Sequence, residues 1–327
     1  MKIETPYYED MTRISNSNIG WFLKKGPAYL KGMLDGTEKG IEGKFLEKGT
    51  MIHMYLLQPE EFWDNYIILD FEVPKVKQQK DFCEAYYNLT KVDPFVDKDK
   101  ATLKAYRSAY SNSFKDEIAL TKAKELLDQY STYVDYLSKS ENKTVISFAD
   151  LTMLKQIKSN IDNHKFASEL LTDKKDYISH NEFHINWESK EGVACKSLLD
   201  RVIFDHASRK ITLIDLKTTH DVYNFKHSVE EFDYYRQISY YLLAITWYMF
   251  EDQHIDISDY DFEAYIIAIQ NNGSYEVRVF NMFNQSILEE RAKTISEALT
   301  EISWHQSTGN WEHTRNYYEG NGIEDLE

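Results

Sequence analysis

Residues 211–219 read ITLIDLKTT. This apolar, β-branched run predicts a strand, and it carries Asp215 and Lys217 two residues apart. Because side chains alternate between the two faces of a strand, the acid and the lysine should share one face. A single pair of this kind is usually a surface ion pair that contributes little to stability, so its meaning depends on the neighbouring segments.

The two segments before it also read as strands. The nearer one, at about 193–204, carries Lys196 and Asp200 four residues apart, which places them on one face. The earlier one carries Glu182, which shares a face with His184 and Asn186. Three acids and a lysine from three consecutive strands can therefore converge on one patch of a sheet.

Such a patch is unfavourable unless something compensates its charge, because clustered carboxylates repel and a half-buried lysine loses solvation. A divalent cation would relieve the repulsion, and carboxylate oxygens are the ligands that Mg²⁺ and Mn²⁺ prefer. A lysine beside the metal could orient or deprotonate an attacking water. The pattern favours metal-assisted hydrolysis of phosphodiesters.

Composition sets broader limits. The 327 residues suffice for one large domain or two small ones, and the 42% hydrophobic and 28% charged residues are an ordinary globular balance. With no apolar run near the ~20 residues that span a bilayer and no signal peptide at its start, we expect a cytoplasmic protein. Cys83 and Cys195 belong to no CxxC pair, so we expect reduced thiols and no cysteine-based zinc or iron–sulfur site.

The formal net charge of −16 argues against a nucleic-acid partner, since DNA binding is normally driven by Lys and Arg. Net charge constrains the average surface, however, and not a single groove. An enzyme that encloses DNA can be acidic outside and basic inside, and bound metal ions add positive charge where it is needed.

Helices should surround the strands. Residues 1–40 predict a helical lead-in, capped within Ser15-Asn16-Ser17 and broken at Gly26-Pro27. The apolar helix at 45–57 carries His53, with Gly49 one turn before it. His53 could bind a metal or a phosphate, or be a core histidine with one hydrogen bond.

Residues 60–97 look irregular, with a possible strand at 66–71 and a basic run at 75–80 that is either a solvated loop or a DNA contact. A long helix at 228–250 places Gln237 and Tyr241 one turn apart, and Gln237 either faces the site or is exposed. The remaining elements are helices at 98–139, 147–171 and 284–305 and a hairpin over 262–280.

This order of elements resembles the PD-(D/E)xK nuclease superfamily, and in particular the exodeoxyribonuclease VIII type of phage and prophage recombination exonuclease, which is like lambda exonuclease. Three stretches carry the resemblance. They are ISNS at 14–17 leading to GPAY at 26–29, GTMIH at 49–53 with LQPE at 57–60, and the strands followed by QISYY at 237–241.

The resemblance implies an α/β fold with a restriction-endonuclease-like core, a mixed sheet flanked by helices, and a helical N-terminal elaboration. We expect one nuclease domain over residues 1–308, with the elaboration at about 1–175 and the sheet core at about 176–308. The tail at 309–327 is polar and acidic, and we expect it to be flexible.

The implied activity is Mg²⁺- or Mn²⁺-dependent digestion of linear double-stranded DNA, 5′ to 3′, which leaves 3′ single strands for recombination by an annealing protein. The resemblance also implies a ring-shaped homo-oligomer. Its site residues fall into metal ligands, catalytic groups and DNA contacts. The ligands are His53, Glu182, Asp200, Asp215 and the Leu216 carbonyl; the catalytic groups are Glu182, Asp200, Asp215, Lys217 and Gln237; the DNA contacts are Lys196, Thr218 and Tyr241.

Leu198 and Leu199 depart from the family, where an arginine and then a proline or small apolar residue often precede the aspartate. This departure affects the basic contribution of the strand, and so the role of Lys196, but not that of Asp200. Two alternatives remain open: a structure-specific or single-strand endonuclease on the same core, and a catalytically silent DNA- or protein-binding module. The complete set of acids and lysine disfavours the silent module, since it is costly without catalysis.

Overall fold

The computed structural model describes residues 6–38, 44–68, 71, 73–111, 113–140, 143–320 and 322–323. The described strands are β1 (Tyr66–Ile68), β2 (Thr144–Ile146), β3 (Ile178–Glu188), β4 (Ala194–Asp205), β5 (Lys210–Thr219), β6 (Asp261–Gln270) and β7 (Val277–Asn281). The described α-helices are α1 (Asn16–Leu34), α2 (Lys44–Leu57), α3 (Pro59–Asn65), α4 (Lys77–Val92), α5 (Lys98–Ala109), α6 (Asp116–Gln129), α7 (Ser131–Lys139), α8 (Phe148–Asn163), α9 (Lys165–Leu171), α10 (Phe225–Glu231), α11 (Tyr234–Trp247), α12 (Gln285–Thr308) and α13 (Arg315–Glu319). A π-helical turn, Tyr248–Asp252, follows α11 directly.

Where the sequence predicted one domain over residues 1–308, the chain divides into two compact units. The first consists of Met1–Gln58 and Gln156–Glu327, and the second of Pro59–Lys155. The second unit has an apolar core of its own, centred on Phe82, Cys83 and Tyr106, which explains why it packs separately.

The first unit is built on a five-stranded sheet in the order β3-β4-β5-β6-β7. Strands β3, β4 and β5 pair antiparallel, β5 pairs parallel with β6, and β6 pairs antiparallel with β7. The parallel step needs a crossover, and α10 and α11 supply it. The predicted mixed sheet flanked by helices is confirmed.

The lead-in helix α1 follows the prediction. Ser15 caps it by accepting the Asn18 N–H, and the Asn18 side chain accepts the Ser15 N–H in return, which is a capping box. Gly26 has a φ of +83° and interrupts the helix at the predicted break before Pro27. Residues 39–40 of the predicted lead-in lie outside the described residues.

Two segments differ from the sequence prediction. The irregular region expected at 60–97 contains α3 and α4, and the basic run at 75–80 leads into α4. Phe82, Tyr86 and Leu89 recur at helical spacing along α4 and pack in the second unit's core. This apolar periodicity favours a helix despite the polar residues between them. The long helix expected at 228–250 is divided by Asp233, which has a φ of +49° and caps α11.

The C-terminal segment expected to be flexible from residue 309 is folded in its described part. Trp311 is buried and stacks on His305 at a centroid distance of 5.2 Å, and α13 follows. Burial of this one indole explains the order. Residues 321 and 324–327 of the predicted tail lie outside the described residues. Among the helices described, none combines the length and apolar character needed to cross a bilayer.

Candidate active site

The register of the sheet aligns three acids on adjacent strands. The pairs on either side of Glu182 place it opposite Asp200 across β3 and β4. The last pair of β4 with β5 joins Arg201 to Ile214, so Asp200 and Asp215 occupy the next positions along the two strands. The predicted convergence of acids is therefore a direct result of strand register.

Glu182 interrupts the regular ladder at this point. Its φ is +47°, and the β3–β4 pairing skips it. A non-glycine residue in the left-handed region carries backbone strain, which is most often retained at functional sites. The strained residue lies opposite Asp200 in the sheet.

A set of metal-binding side chains forms where α2 meets this register. Among the residues that the structure describes, one ligand atom from each of His53, Glu182 and Asp200 lies within 4.8 Å of the others. His53 Nδ1 lies 3.6 Å from Asp200 Oδ2. One imidazole and two carboxylates suit a divalent cation, and the clustering of like charges fits a site that holds one.

The predicted pair of Asp215 and Lys217 lies beside this set. Asp215 is 1% exposed, and its Oδ2 forms an ion pair with Lys217 Nζ at 2.6 Å. Gln237 donates to Asp215 Oδ1 at 3.0 Å and to the Tyr241 hydroxyl at 2.9 Å. Gln237 thus faces the site, and Asp215 fixes both the lysine and the glutamine.

Leu216 links the two acids through its main chain. Its N–H donates to Asp200 Oδ2 at 2.6 Å. This hydrogen bond places Leu216 beside Asp200, and the role of its carbonyl as a metal ligand stays a prediction.

The charges alter one another's protonation. Desolvation, followed by the charges of Asp200 and Asp215, raises the pKa of Glu182 to about 7. Burial also raises the pKa of Asp215, although Lys217 opposes this. For Lys217 burial alone would lower the pKa, but the charges of Asp215 and Asp200 outweigh it and the pKa is raised. Lys217 is therefore a cation at neutral pH and suits orientation and charge stabilisation better than proton abstraction.

Two clefts meet at Lys217. The first, which we call the acidic cleft, has a volume of about 470 Å³ and is lined by His53, Glu182 and Asp200. The second, the basic cleft, has a volume of about 780 Å³ and is lined by four cationic side chains and one carboxylate. These are Lys24, Lys25, Lys217, Arg236 and Asp221.

Three predicted DNA contacts have different positions. Thr218 and Tyr241 line both clefts. Lys196 does not line either of them: it is 5% exposed, and its ammonium donates to the main-chain carbonyls of Tyr7 and Asp10. Its predicted role in binding DNA is wrong, because the ammonium is buried and fully engaged by the chain itself.

Sequence reasoning missed several residues that line the clefts. Besides the cations Lys24, Lys25 and Arg236, they include Tyr7, Tyr8, Ser17 and Tyr234. Lys217 Nζ lies 5.0 Å from the centroid of the Tyr234 ring, which adds a cation–π contact to its ion pair. Tyr234 opens α11 one turn before the polar residues that were identified, so helical spacing could have found it. The positions of Tyr7 and Tyr8 depend on tertiary contacts and carry no periodic signal.

Comparison with known proteins agrees with this geometry. A solved structure of a "putative exonuclease" from Eubacterium rectale superposes with a TM-score of 0.52 at 12% identity, covering 100% of this chain and 96% of the other. At that identity the likeness concerns the fold alone. A search of curated proteins gives no significant match. Residues 15–315 match the family described as a PDDEXK-like domain of unknown function, DUF3799. The chain belongs to that family, and with it to the PD-(D/E)xK nuclease superfamily.

Proposed function

We propose that the protein is a metal-dependent exodeoxyribonuclease that degrades linear double-stranded DNA. The observation that carries the proposal is the convergence of His53, Glu182 and Asp200 beside the ion-paired Asp215 and Lys217. A divalent cation held there would supply a Lewis acid for the phosphoryl oxygens and lower the pKa of a bound water.

The chain's own residues have separable tasks. Glu182, Asp200 and His53 would hold the cation, and Mg²⁺ or Mn²⁺ suits their oxygen-rich set. Lys217, kept protonated, would orient the attacking water and neutralise charge that develops on the phosphate. Asp215 keeps the ammonium in place. Asp215 does not belong to the described group of ligand atoms formed by His53, Glu182 and Asp200, so its predicted role as a ligand remains a proposal.

A polymeric substrate is favoured by the basic cleft. It is continuous with the acidic cleft through Lys217, Thr218, Tyr234 and Tyr241. Its exposed cations, Lys24 and Lys25, suit the phosphates that flank the scissile one. The exonuclease name of the structural neighbour supports action at DNA ends. With this activity we propose 5′-to-3′ polarity, a ring-shaped homo-oligomer and an annealing protein as partner.

The test is incubation with Mg²⁺ and duplexes labelled at the 5′ or the 3′ end, in linear and covalently closed forms. We expect early release of the 5′ label as mononucleotide and no cleavage of closed circles. Cleavage of closed circles would support the endonuclease alternative, and no cleavage in Mg²⁺ or Mn²⁺ would support a silent binding module. Light scattering of the purified protein tests the ring.

A further inference from the structure

The segment Tyr7–Asp10 is fixed to the sheet by a buried cation. Lys196 Nζ donates to the Tyr7 carbonyl at 2.6 Å and also to the Asp10 carbonyl, and it lies 4.7 Å from the centroid of the Tyr7 ring. Burying a lysine ammonium is costly unless its donors are satisfied. Here two main-chain carbonyls and one aromatic face satisfy it, so the segment and the lysine hold each other in place.

A second attachment follows four residues later. Ile14 forms an isolated parallel bridge with Cys195: the Ile14 N–H donates to the Ala194 carbonyl at 2.9 Å, and the Lys196 N–H donates to the Ile14 carbonyl at 2.8 Å. The Tyr240 hydroxyl donates to the same Ile14 carbonyl at 2.6 Å. The chain on both sides of Thr12 is therefore tied to β4, and the orientation of the tyrosines is set by the sheet.

This arrangement presents Tyr8 to the acidic cleft. Tyr8 lines that cleft together with Glu182 and Asp200, yet it is 76% exposed. Its ring packs edge-on against Tyr7 at 5.1 Å, and Tyr7 packs edge-on against His184 at 5.4 Å. A tyrosine phenol ordinarily ionises only at about pH 10, so the ring of Tyr8 is uncharged at neutral pH. A neutral aromatic ring is thus held open to solvent beside the metal carboxylates.

We propose that Tyr8 is the surface on which the base next to the scissile phosphate stacks, and that Lys196 is the positioning residue that holds Tyr8 there. The inference rests on the proposed function, because a nucleotide whose phosphate is bound in the acidic cleft would lie against Tyr8, which lines that cleft. Stacking of a base on an aromatic side chain contributes about 1–3 kcal/mol and tolerates any base, since every base has a π face. The negative surroundings of Tyr8 suit the neutral base better than a phosphate.

The test uses oligonucleotides that carry 2-aminopurine at the terminal or the second nucleotide, bound in Ca²⁺ with gels to check for cleavage. Wild-type protein should quench the fluorescence at one of these positions. Tyr8→Ala should lose the quenching and bind about tenfold more weakly, whereas Tyr8→Phe should keep both properties. Mn²⁺ affinity should be unchanged in both variants. Phe250→Ala, at a ring that is 61% exposed in another cleft, is the matched control and should resemble wild type.

Lys196→Met should lose the quenching in a chain whose circular dichroism still shows a folded protein, and Lys196→Arg should recover part of it. The proposal is overturned if wild type shows no quenching, or if Tyr8→Ala quenches and binds like wild type. Its failure is separate from that of the nuclease assignment. Quenching without any cleavage in Mg²⁺ would reject the nuclease and keep Tyr8 as a stacking surface, while cleavage with unchanged Tyr8→Ala binding would do the reverse.

Discussion

The two clefts that meet at Lys217 carry opposite charge. In the acidic cleft Glu182 and Asp200 face one cation, whereas the basic cleft presents the exposed cations Lys24 and Lys25 with Asp221 as the lining carboxylate. Its other two cations are paired, Lys217 with Asp215 and the buried Arg236 with Asp233. A chain with a net charge of −16 therefore has one surface suited to a metal ion and an adjoining one suited to phosphates. The comparison shows that a negative net charge does not exclude a DNA substrate, because binding depends on the charges that line the cleft.

The two clefts also arise in different ways. The carboxylates of the acidic cleft follow from the register of β3, β4 and β5, which is a property of consecutive strands, and α2 adds His53. The basic cleft combines Lys24 and Lys25 of α1 with Lys217 of β5 and Arg236 of α11, about 200 positions later in the chain. If the comparison is correct, substitutions in the first should abolish chemistry and those in the second should weaken binding.

The largest effect is expected from Asp200→Asn in the acidic cleft. The amide removes a charge from the metal set and weakens the acceptor of the Leu216 N–H. We expect cleavage of linear duplex to fall by about 10³-fold and Mn²⁺ binding to be lost, as seen by calorimetry. Thermal unfolding should show a folded protein. A cleavage rate within tenfold of the wild-type rate would contradict the assignment of the acidic cleft as the metal site.

A smaller effect is expected in the basic cleft. Lys25→Gln should raise KM for duplex DNA about fivefold with kcat unchanged, and should lower the slope of log affinity against log salt by about 0.9. Mn²⁺ binding should not change. Lys293→Gln, a 77% exposed lysine in another cleft, is the control. An unchanged salt slope for Lys25→Gln would show that DNA does not follow the basic cleft.

The third expectation concerns pH and only the acidic cleft. The raised pKa of Glu182, about 7, means that a metal ion must displace a proton below that pH. Mn²⁺ affinity should therefore fall as pH drops below 7, by up to about tenfold per unit, and Glu182→Gln should flatten this dependence. Calorimetry in buffers of different ionisation enthalpy should detect the released proton. A flat profile in wild type would contradict the assignment.

The same shift has the opposite consequence for the metal-free fold. Because the folded state holds this proton up to about pH 7 while the unfolded state releases it near 4.5, the contribution of Glu182 to the free energy of unfolding decreases as pH rises between those values. Denaturant melts at both ends of the range should show this decrease in wild type and less of it in Glu182→Gln.

The smallest effect is expected at Gly49, which lines the acidic cleft. Gly49 packs against Thr218, and a Cβ at Gly49 would lie 3.5 Å from Thr218 Oγ1, an ordinary van der Waals contact. Gly49→Ala should therefore leave cleavage unchanged and stabilise α2 by about 0.5–1 kcal/mol in denaturant melts. A loss of activity would show that position 49 approaches Thr218 or the bound substrate more closely than this distance indicates.

Sequence reasoning reached the sheet and much of the site, since period-2 alternation placed Asp215 beside Lys217 and helical spacing joined Gln237 to Tyr241. It failed where long-range packing decides. Lys196 shares a face with Asp200 as predicted, but the segment that covers it comes from Tyr7–Asp10, and no local pattern shows that. The break at Asp233 was missed for the same reason, because Arg236 and Arg291 hold this left-handed residue.

The central claim is that a protonated Lys217 acts beside a metal held by other side chains. The most direct measurement compares Lys217→Met with wild type in Mn²⁺ binding and in cleavage of a linear end-labelled duplex, with Lys217→Arg as a second variant that keeps a charge beside Asp215. We predict that Lys217→Met binds Mn²⁺ within a few-fold of wild type while its cleavage falls by about 10²–10³-fold. Cleavage by Lys217→Met at the wild-type rate would contradict the account.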